Sequence, residues 1–249
     1  MTFLKKRLGA FSGVPLSLIV CVLCLLVSGC VSQEQFHNFI EERGNMVRAR
    51  FAADRLAERR ELETKAPCCD DIRTAIPLAN VSGERPLAVT LGNWPSTQIA
   101  EIDGFRSYYA FVVVGPSRGN KHLVVDSQST VTGLVDNKTG VREGWMLVPV
   151  VTFFDEKRQR IQSASATLTQ VPGGLYWRAK FAVPVEAVFA AVHTSSEKLN
   201  GPKLSGTVAA STTASPMPGG GSAPLVLRSE SGLSLLTPSV KGHLSISLE

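Results

Sequence analysis

Val150-Val151-Thr152-Phe153-Phe154-Asp155-Glu156-Lys157, followed after two residues by Arg160-Ile161-Gln162-Ser163, decides how the chain is read. Five β-branched or aromatic residues run into a charged turn, and an alternation of polar and apolar residues returns from it. That is the pattern of a β-hairpin. Working outward, further candidate strands are Leu87 to Leu91, Tyr108 to Val114, His122 to Val131, Trp145 to Asp155, Ala164 to Gln170, Gly174 to Val183, Val188 to Thr194, Leu225 to Leu236 and His243 to Leu248. Gly92-Asn93, Asp103-Gly104, Gly115-Pro116, Asp136-Asn137 and Pro172-Gly173-Gly174 punctuate them as turns. Short strands without interleaved helices predict a mainly β chain folded as an antiparallel β-sandwich. Residues 200–223 are almost all Gly, Pro, Ser, Thr and Ala, with too little apolar surface to order themselves, so a disordered loop is expected inside the domain.

Ahead of the β region, residues 32–65 lack proline, mix charges of both signs and set Phe36, Ile40, Val47, Phe51 and Leu62 along a narrow side of a 3.6-residue repeat. A solvated N-terminal helical stalk is predicted. At 1.5 Å per residue it could reach about 45 Å. Arg43 and Arg50 interrupt the apolar seam, so packing back on the body and self-association are both open.

Leu25-Leu26-Val27-Ser28-Gly29-Cys30 gives the chain an address. Lys5, Lys6 and Arg7 make a positive n-region, and Pro15 to Val27 an apolar h-region, shorter than the roughly twenty residues a lasting membrane span needs. Small residues before a cysteine match the site at which lipoprotein signal peptides are cut and the thiol acylated. Cys30 is therefore the expected lipidation site. Residues 1–29 are the expected signal peptide, 30–65 a lipid-anchored stalk and 66–249 the β domain. Val31, standing where an Asp would retain the protein, favours the periplasmic face of the outer membrane.

Removing residues 1–29 takes away three basic residues and no acidic ones, so the formal charge falls from +5 to +2. A balance this small argues against a nucleic-acid partner. Beyond Cys30 the remaining thiols are Cys68 and Cys69, adjacent in sequence, which leaves a vicinal disulfide or burial as small apolar side chains. The histidines at 37, 122, 193 and 243 are scattered and no Cys-x-x-Cys or His-x-x-x-His occurs, so no metal and no cofactor is expected. His122 and His193 read as strand residues at a sheet surface or satisfied in the core. A Gly-x-Ser-x-Gly elbow is lacking, and Glu41-Glu42 and Asp155-Glu156 are sequence neighbours that point apart, unlike the facing carboxyls of a glycosidase. A non-enzymatic protein is expected. Among the aromatic rings, Trp94, between Asn93 and Pro95 in a loop, is the candidate ligand contact.

Five features stand in an order that resembles the maltose operon periplasmic protein (MalM-like) family. They are Cys68-Cys69, Ser107-Tyr108-Tyr109-Ala110-Phe111, Pro149 to Asp155, Val192-His193-Thr194-Ser195 and the closing Gly242-x-Leu244-x-Ile246, spanning residues 67–249. The resemblance implies a periplasmic, non-enzymatic protein accessory to carbohydrate transport of the maltose or maltodextrin type, and supplies no binding residues. This chain carries a lipobox where that family's members have an ordinary signal peptide, which adds an anchored role. The expectation is an outer-membrane lipoprotein that binds carbohydrate or scaffolds its uptake. The alternative is a lipoprotein that contacts an envelope protein or the cell wall without binding sugar.

Overall fold

The computed structural model describes residues 33–67, 72–93, 98–116, 120–135, 141–172, 175–208 and 232–249. Cys30, Cys68, Cys69 and Trp94 lie outside them. The chain divides into two compact units, residues 1–48 and 49–249. In the first, the described residues form the opening turns of helix α1 (Gln33–Thr64), with Asn38, Glu42, Asn45 and Met46 exposed. No helix among the described residues is long and apolar enough to cross a membrane.

The second unit holds the remainder of α1 and a mainly β body. Its central sandwich faces a five-stranded sheet against a four-stranded one. The first comprises β1 (Leu87–Leu91), β15 (Gly242–Leu248), β5 (His122–Gln128), β11 (Tyr176–Ala182) and β10 (Thr169–Gln170), in that order, all antiparallel. The second runs β4 (Ala110–Val113), β12 (Phe189–His193), β8 (Val150–Phe154), β9 (Arg160–Ser165), again antiparallel. The period-two alternation of strand side chains makes the core. Val89 and Leu91, Leu244 and Ile246, Leu123 and Val125, and Ala179 and Phe181 point inward from one sheet and meet Val112, Ala190, Val192, Val151 and Phe153 of the other.

The opposite face of the four-stranded sheet is also covered. Phe111, Phe154 and Ala191 pack there against Ile72 and Ala75 of a short 3-10 turn and against Ala100, Ile102 and Tyr109. That is why Val150-Val151-Thr152-Phe153-Phe154 is buried at every position instead of every second one. Ala100 and Ile102 belong to an outlying hairpin of β2 (Ile99–Ile102) and β3 (Phe105–Tyr108). A third sheet, β13 (Leu204–Val208), β14 (Gly232–Ser239), β7 (Arg142–Leu147) and β6 (Thr130–Val135), closes one end around Met146, Trp177 and Leu236.

Four expected strands are each split in two. The runs 108–114, 122–131, 145–155 and 164–170 break at Tyr109, Ser129, Val148-Pro149 and Ala166-Thr167-Leu168, where the chain leaves one sheet for another. At the second corner Ser129 donates through both its backbone N–H and its hydroxyl to the Leu175 carbonyl, at 2.7 and 2.8 Å. One pairing departs from the antiparallel expectation. β14 runs parallel to β7, Ser234 beside Arg142 and Ser239 beside Leu147. Both strands deliver the chain into the sandwich in the same direction, β7 onward to β8 and β14 onward to β15.

The stretch 200–223, expected as one disordered loop, begins with ordered chain. Leu204–Val208 pairs with β14, and the Gln170 side chain donates to the Thr207 carbonyl at 2.5 Å and accepts from its N–H at 3.0 Å, standing in for a neighbouring strand. Leu204 packs on the Met146–Trp177–Leu236 cluster. A Cβ at Gly206 would fall 2.5 Å from the Trp177 ring, so glycine is what lets β13 cross that indole. Residues 209–223 lie outside the described ones.

The last turns of α1 are docked on the β body, one of the two arrangements that the sequence left open for the helix. Leu62 is buried in the sandwich core. Glu61 pairs with Lys241 at 2.8 Å, Arg59 donates to the Leu199 carbonyl at 3.2 Å and Arg106 to the Glu63 carbonyl at 2.6 Å. A single leucine in a polar stretch suffices because charged neighbours on both sides find partners.

Candidate functional site

The β2–β3 hairpin positions the two clefts that follow. Asp103 and Gly104 at its tip have φ of 57° and 72°, the paired left-handed conformations of the tight hairpin turn that Asp-Gly favours. The register Ile102↔Phe105, Glu101↔Arg106, Ala100↔Ser107 follows from that two-residue turn. Ala100 and Ile102 hold one side of the hairpin to the sheet beneath.

Between this hairpin, the end of α1 and the short helix α2 (Ser196–Leu199) lies a cleft of about 440 Å³. Leu62, Phe105, Leu199 and Val240 supply its apolar surface; Arg59, Glu63, Glu101, Arg106, Ser196 and Asn200 supply its polar groups. Phe105 is half-buried, packing on the sandwich core and lining the cleft. The guanidinium groups of Arg59 and Arg106 are already oriented by the carbonyls of Leu199 and Glu63. Such a lining takes a ligand with both hydrogen-bonding groups and an apolar face.

Behind the cleft, Lys65 and Lys241 stand 5.8 and 5.6 Å from the centre of the Tyr108 ring. The Tyr108 hydroxyl is buried near Glu61 without meeting hydrogen-bond geometry, and burial first, then the Glu61 charge, raises its pKa. Glu61 is held below the usual carboxylate range, mainly by its hydrogen bond from Lys241, whereas burial raises Glu58.

On the other side of the hairpin a second cleft, of about 270 Å³, is lined by Arg73, Glu101, Asp103, Thr152 and Arg160 over Ile72, Ile102 and Phe154. A chain of polar contacts runs inward from it. Arg160 makes an ion pair with Asp103 and donates to Ser163 at 3.1 Å. Ser163 donates to Asp103 at 2.9 Å, Thr152 and Ser163 hydroxyls lie 2.7 Å apart, and His193 Nε2 is 2.9 Å from Thr152. His193 Nδ1 faces the Thr194 carbonyl at 2.8 Å. Thr152 and Ser163 are register partners on β8 and β9, and His193 sits diagonally across on β12. Burial pushes the His193 imidazole down to about 4, against the opposing pull of the Thr194 carbonyl and Asp103.

The residues singled out from the sequence are distributed as follows. His193 is buried and bonded on both ring nitrogens, His122 is a half-buried strand residue, and His243 is exposed with Nδ1 2.8 Å from the Thr90 hydroxyl. Asp155 accepts from the Gln159 N–H at 2.7 Å and caps the β8–β9 turn. Trp177, Tyr108 and Tyr109 are core residues, while Tyr176 is exposed. Among the described residues no three His, Cys, Asp or Glu side chains converge on a common point.

Sequence reading did not single out Phe105, Arg106 or the set Asp103, Arg160, Thr152 and Ser163. The Asp103-Gly104 turn was legible, but nothing local says that its carboxylate meets a serine sixty positions on. Compared with protein-family models, with curated proteins and with solved structures, the chain matches none.

Proposed function

We propose that the protein is a non-enzymatic lipoprotein, anchored through Cys30 at the periplasmic face of the outer membrane and accessory to carbohydrate uptake of the maltodextrin type, which it serves by binding glycan in the cleft beside Phe105. The observation that carries this reading is the lining of that cleft. A half-buried aromatic residue lining the cleft beside carboxylate, guanidinium and amide groups matches a sugar, whose axial C–H face stacks on a ring while its hydroxyls both donate and accept. The lipobox and the maltose-operon resemblance support the address and the substrate class.

The test is calorimetric titration of the full mature chain, anchored in detergent micelles, with maltodextrins and with cell-wall glycan fragments. Saturable heat that Phe105→Ala abolishes or weakens about tenfold supports the reading, a stacked ring being worth about 1–2 kcal/mol. Heat with cell-wall fragments alone redirects the site to the wall. Absence of heat with every glycan, from protein shown to be folded, overturns sugar binding and leaves an envelope protein as partner.

A further inference from the structure

The cleft beside Phe105 is closed on one side by the end of α1. Arg59, Leu62 and Glu63 line it from the helix, together with Phe105 and Arg106 of the β2–β3 hairpin and Leu199 of α2. Two of these residues tie the walls together. Arg59 reaches from the helix to the Leu199 carbonyl, and Arg106 from the hairpin to the Glu63 carbonyl. Undocking the end of α1 therefore removes a wall of the cleft and both ties at once. The other flank of the same turns is held by different groups. At about 100° per residue Glu58, Glu61 and Lys65 fall together, away from Arg59 and Glu63, with Leu62 between the two sets. Glu61 accepts from Lys241 at 2.8 Å and Glu58 from Ser239 at 3.4 Å, and the Ser239 hydroxyl also accepts from the Lys241 N–H at 3.2 Å. A Cβ at Gly92 would collide with Cγ and Cδ of Lys241, so glycine there leaves passage for the lysine stem on its way to Glu61. None of Glu58, Glu61, Ser239 and Lys241 lines the cleft.

This attachment is light. Within residues 55–64 Leu62 is the one buried side chain, and the polar contacts around it are part-buried or exposed. Few buried apolar contacts give these turns an opening free energy below that of the sandwich, whose strands bury their whole inner faces. We propose that residues 55–64 of α1 are a latch on the cleft, docked more firmly when it is occupied and taking its binding surface apart when they lift. The inference rests on the cleft being the glycan site proposed above. Linkage makes the effect reciprocal. A ligand that meets Arg59, Leu62 and Glu63 only in the docked state holds the helix down, and a helix that is partly undocked weakens the apparent affinity by the fraction lost. The two flanks then have separate duties. Glu58, Glu61, Ser239 and Lys241 set how firmly the empty latch rests, and the cleft-facing residues set how much the ligand adds.

The experiment measures amide exchange by mass spectrometry in the full mature chain, in detergent micelles, at residues 55–64 and in the core strands β5 and β12. Samples are compared without ligand and with a maltodextrin at about one hundred times the dissociation constant that calorimetry gives on the same protein. In the empty protein residues 55–64 should exchange faster than β5 and β12. The maltodextrin should slow them by up to about a hundredfold, the factor by which an occupant at that excess favours the state it binds. Lys241→Ala, outside the cleft, should speed the empty helix by up to about fivefold and leave the slowing by ligand unchanged. Helix turns that exchange no faster than β5 and β12 in the empty protein form one cooperative unit with the sandwich, which overturns the latch whatever binds. Calorimetric heat without slowing at residues 55–64 overturns the latch and leaves glycan binding standing. Absence of heat overturns the glycan reading, and the ligand-driven latch falls with it. A Lys241→Ala variant that loses affinity with unchanged helix exchange also overturns the proposal, since the lysine would then act in the cleft and not on the helix.

Discussion

Burial outweighs charge at His193. The imidazole sits in the sheet with about 1% of its surface exposed, and its pKa falls from the ordinary 6.5 to about 4 because the cation loses its water. The sign of the consequence is fixed. Above pH 6.5 both folded and unfolded chains carry a neutral ring and no penalty arises. As pH falls from 6.5 toward 4 the unfolded chain takes up a proton that the folded one refuses, so stability declines by about 1.4 kcal/mol per pH unit, to about 3 kcal/mol in all. Urea unfolding at pH 7.5, 6.0 and 5.0 should show that decline. His193→Gln should start lower at pH 7.5, having lost fitted hydrogen bonds, and should flatten the curve in the range above carboxylate titration. Arg158 illustrates a different balance. It occupies φ of 59°, stacks 5.2 Å from the centre of Phe189 and donates to the carbonyls of Arg73 and Ala75. One guanidinium thus pins the 3-10 turn over the aromatic face of the sheet.

At the scale of elements, α1 shows how a mostly polar helix docks. The helix presents Leu62 to the core, and the contacts of Glu58, Arg59, Glu61 and Glu63 surround it. Leu62→Ala is expected to cost about 2–5 kcal/mol, the usual loss for a buried leucine, and to raise amide exchange in the last turns of α1 before the sandwich opens. Lys241→Ala, which removes a partly exposed ion pair, should cost about 1 kcal/mol or less. Exchange mass spectrometry with denaturant melts separates the two; equal costs would mean that charge, not burial, holds the helix. The seam of Phe36, Ile40, Val47, Phe51 and Leu62 was visible in the sequence, yet the core that Leu62 enters was not. A thin apolar stripe records that one side is to be covered and is silent about what covers it. β13 is the converse case. Its composition reads as loop, and it is a strand because Leu204 finds an apolar cluster and Gly206 passes beneath an indole.

For the molecule as a whole, the anchor proposed at Cys30 makes a direct prediction. Cys30→Ala should abolish labelling by radioactive palmitate and release the protein from sedimenting envelopes into the soluble fraction. Retention in the envelope without label would assign the attachment to protein contacts. The β body should be indifferent to the change, since its described core residues run from Leu62 onward.

The sequence by itself determined the β content, the β8–β9 hairpin, the tight turn at Asp103-Gly104 and the helix ahead of the body, and it carries the signal on which the proposed address rests. Each is local, set by periodicity, turn chemistry or a short processing motif. Only the tertiary structure decided where strands change sheets, that β14 runs parallel to β7, that α1 ends in the core, and that Phe105 opens on a cleft. The same holds for the meeting of Asp103, Arg160, Ser163, Thr152 and His193 in one chain of contacts. The reason is physical. Alternation tells which face of a strand is buried, but it continues unbroken across a corner such as Ser129 and carries no label for the sheet that will lie against it.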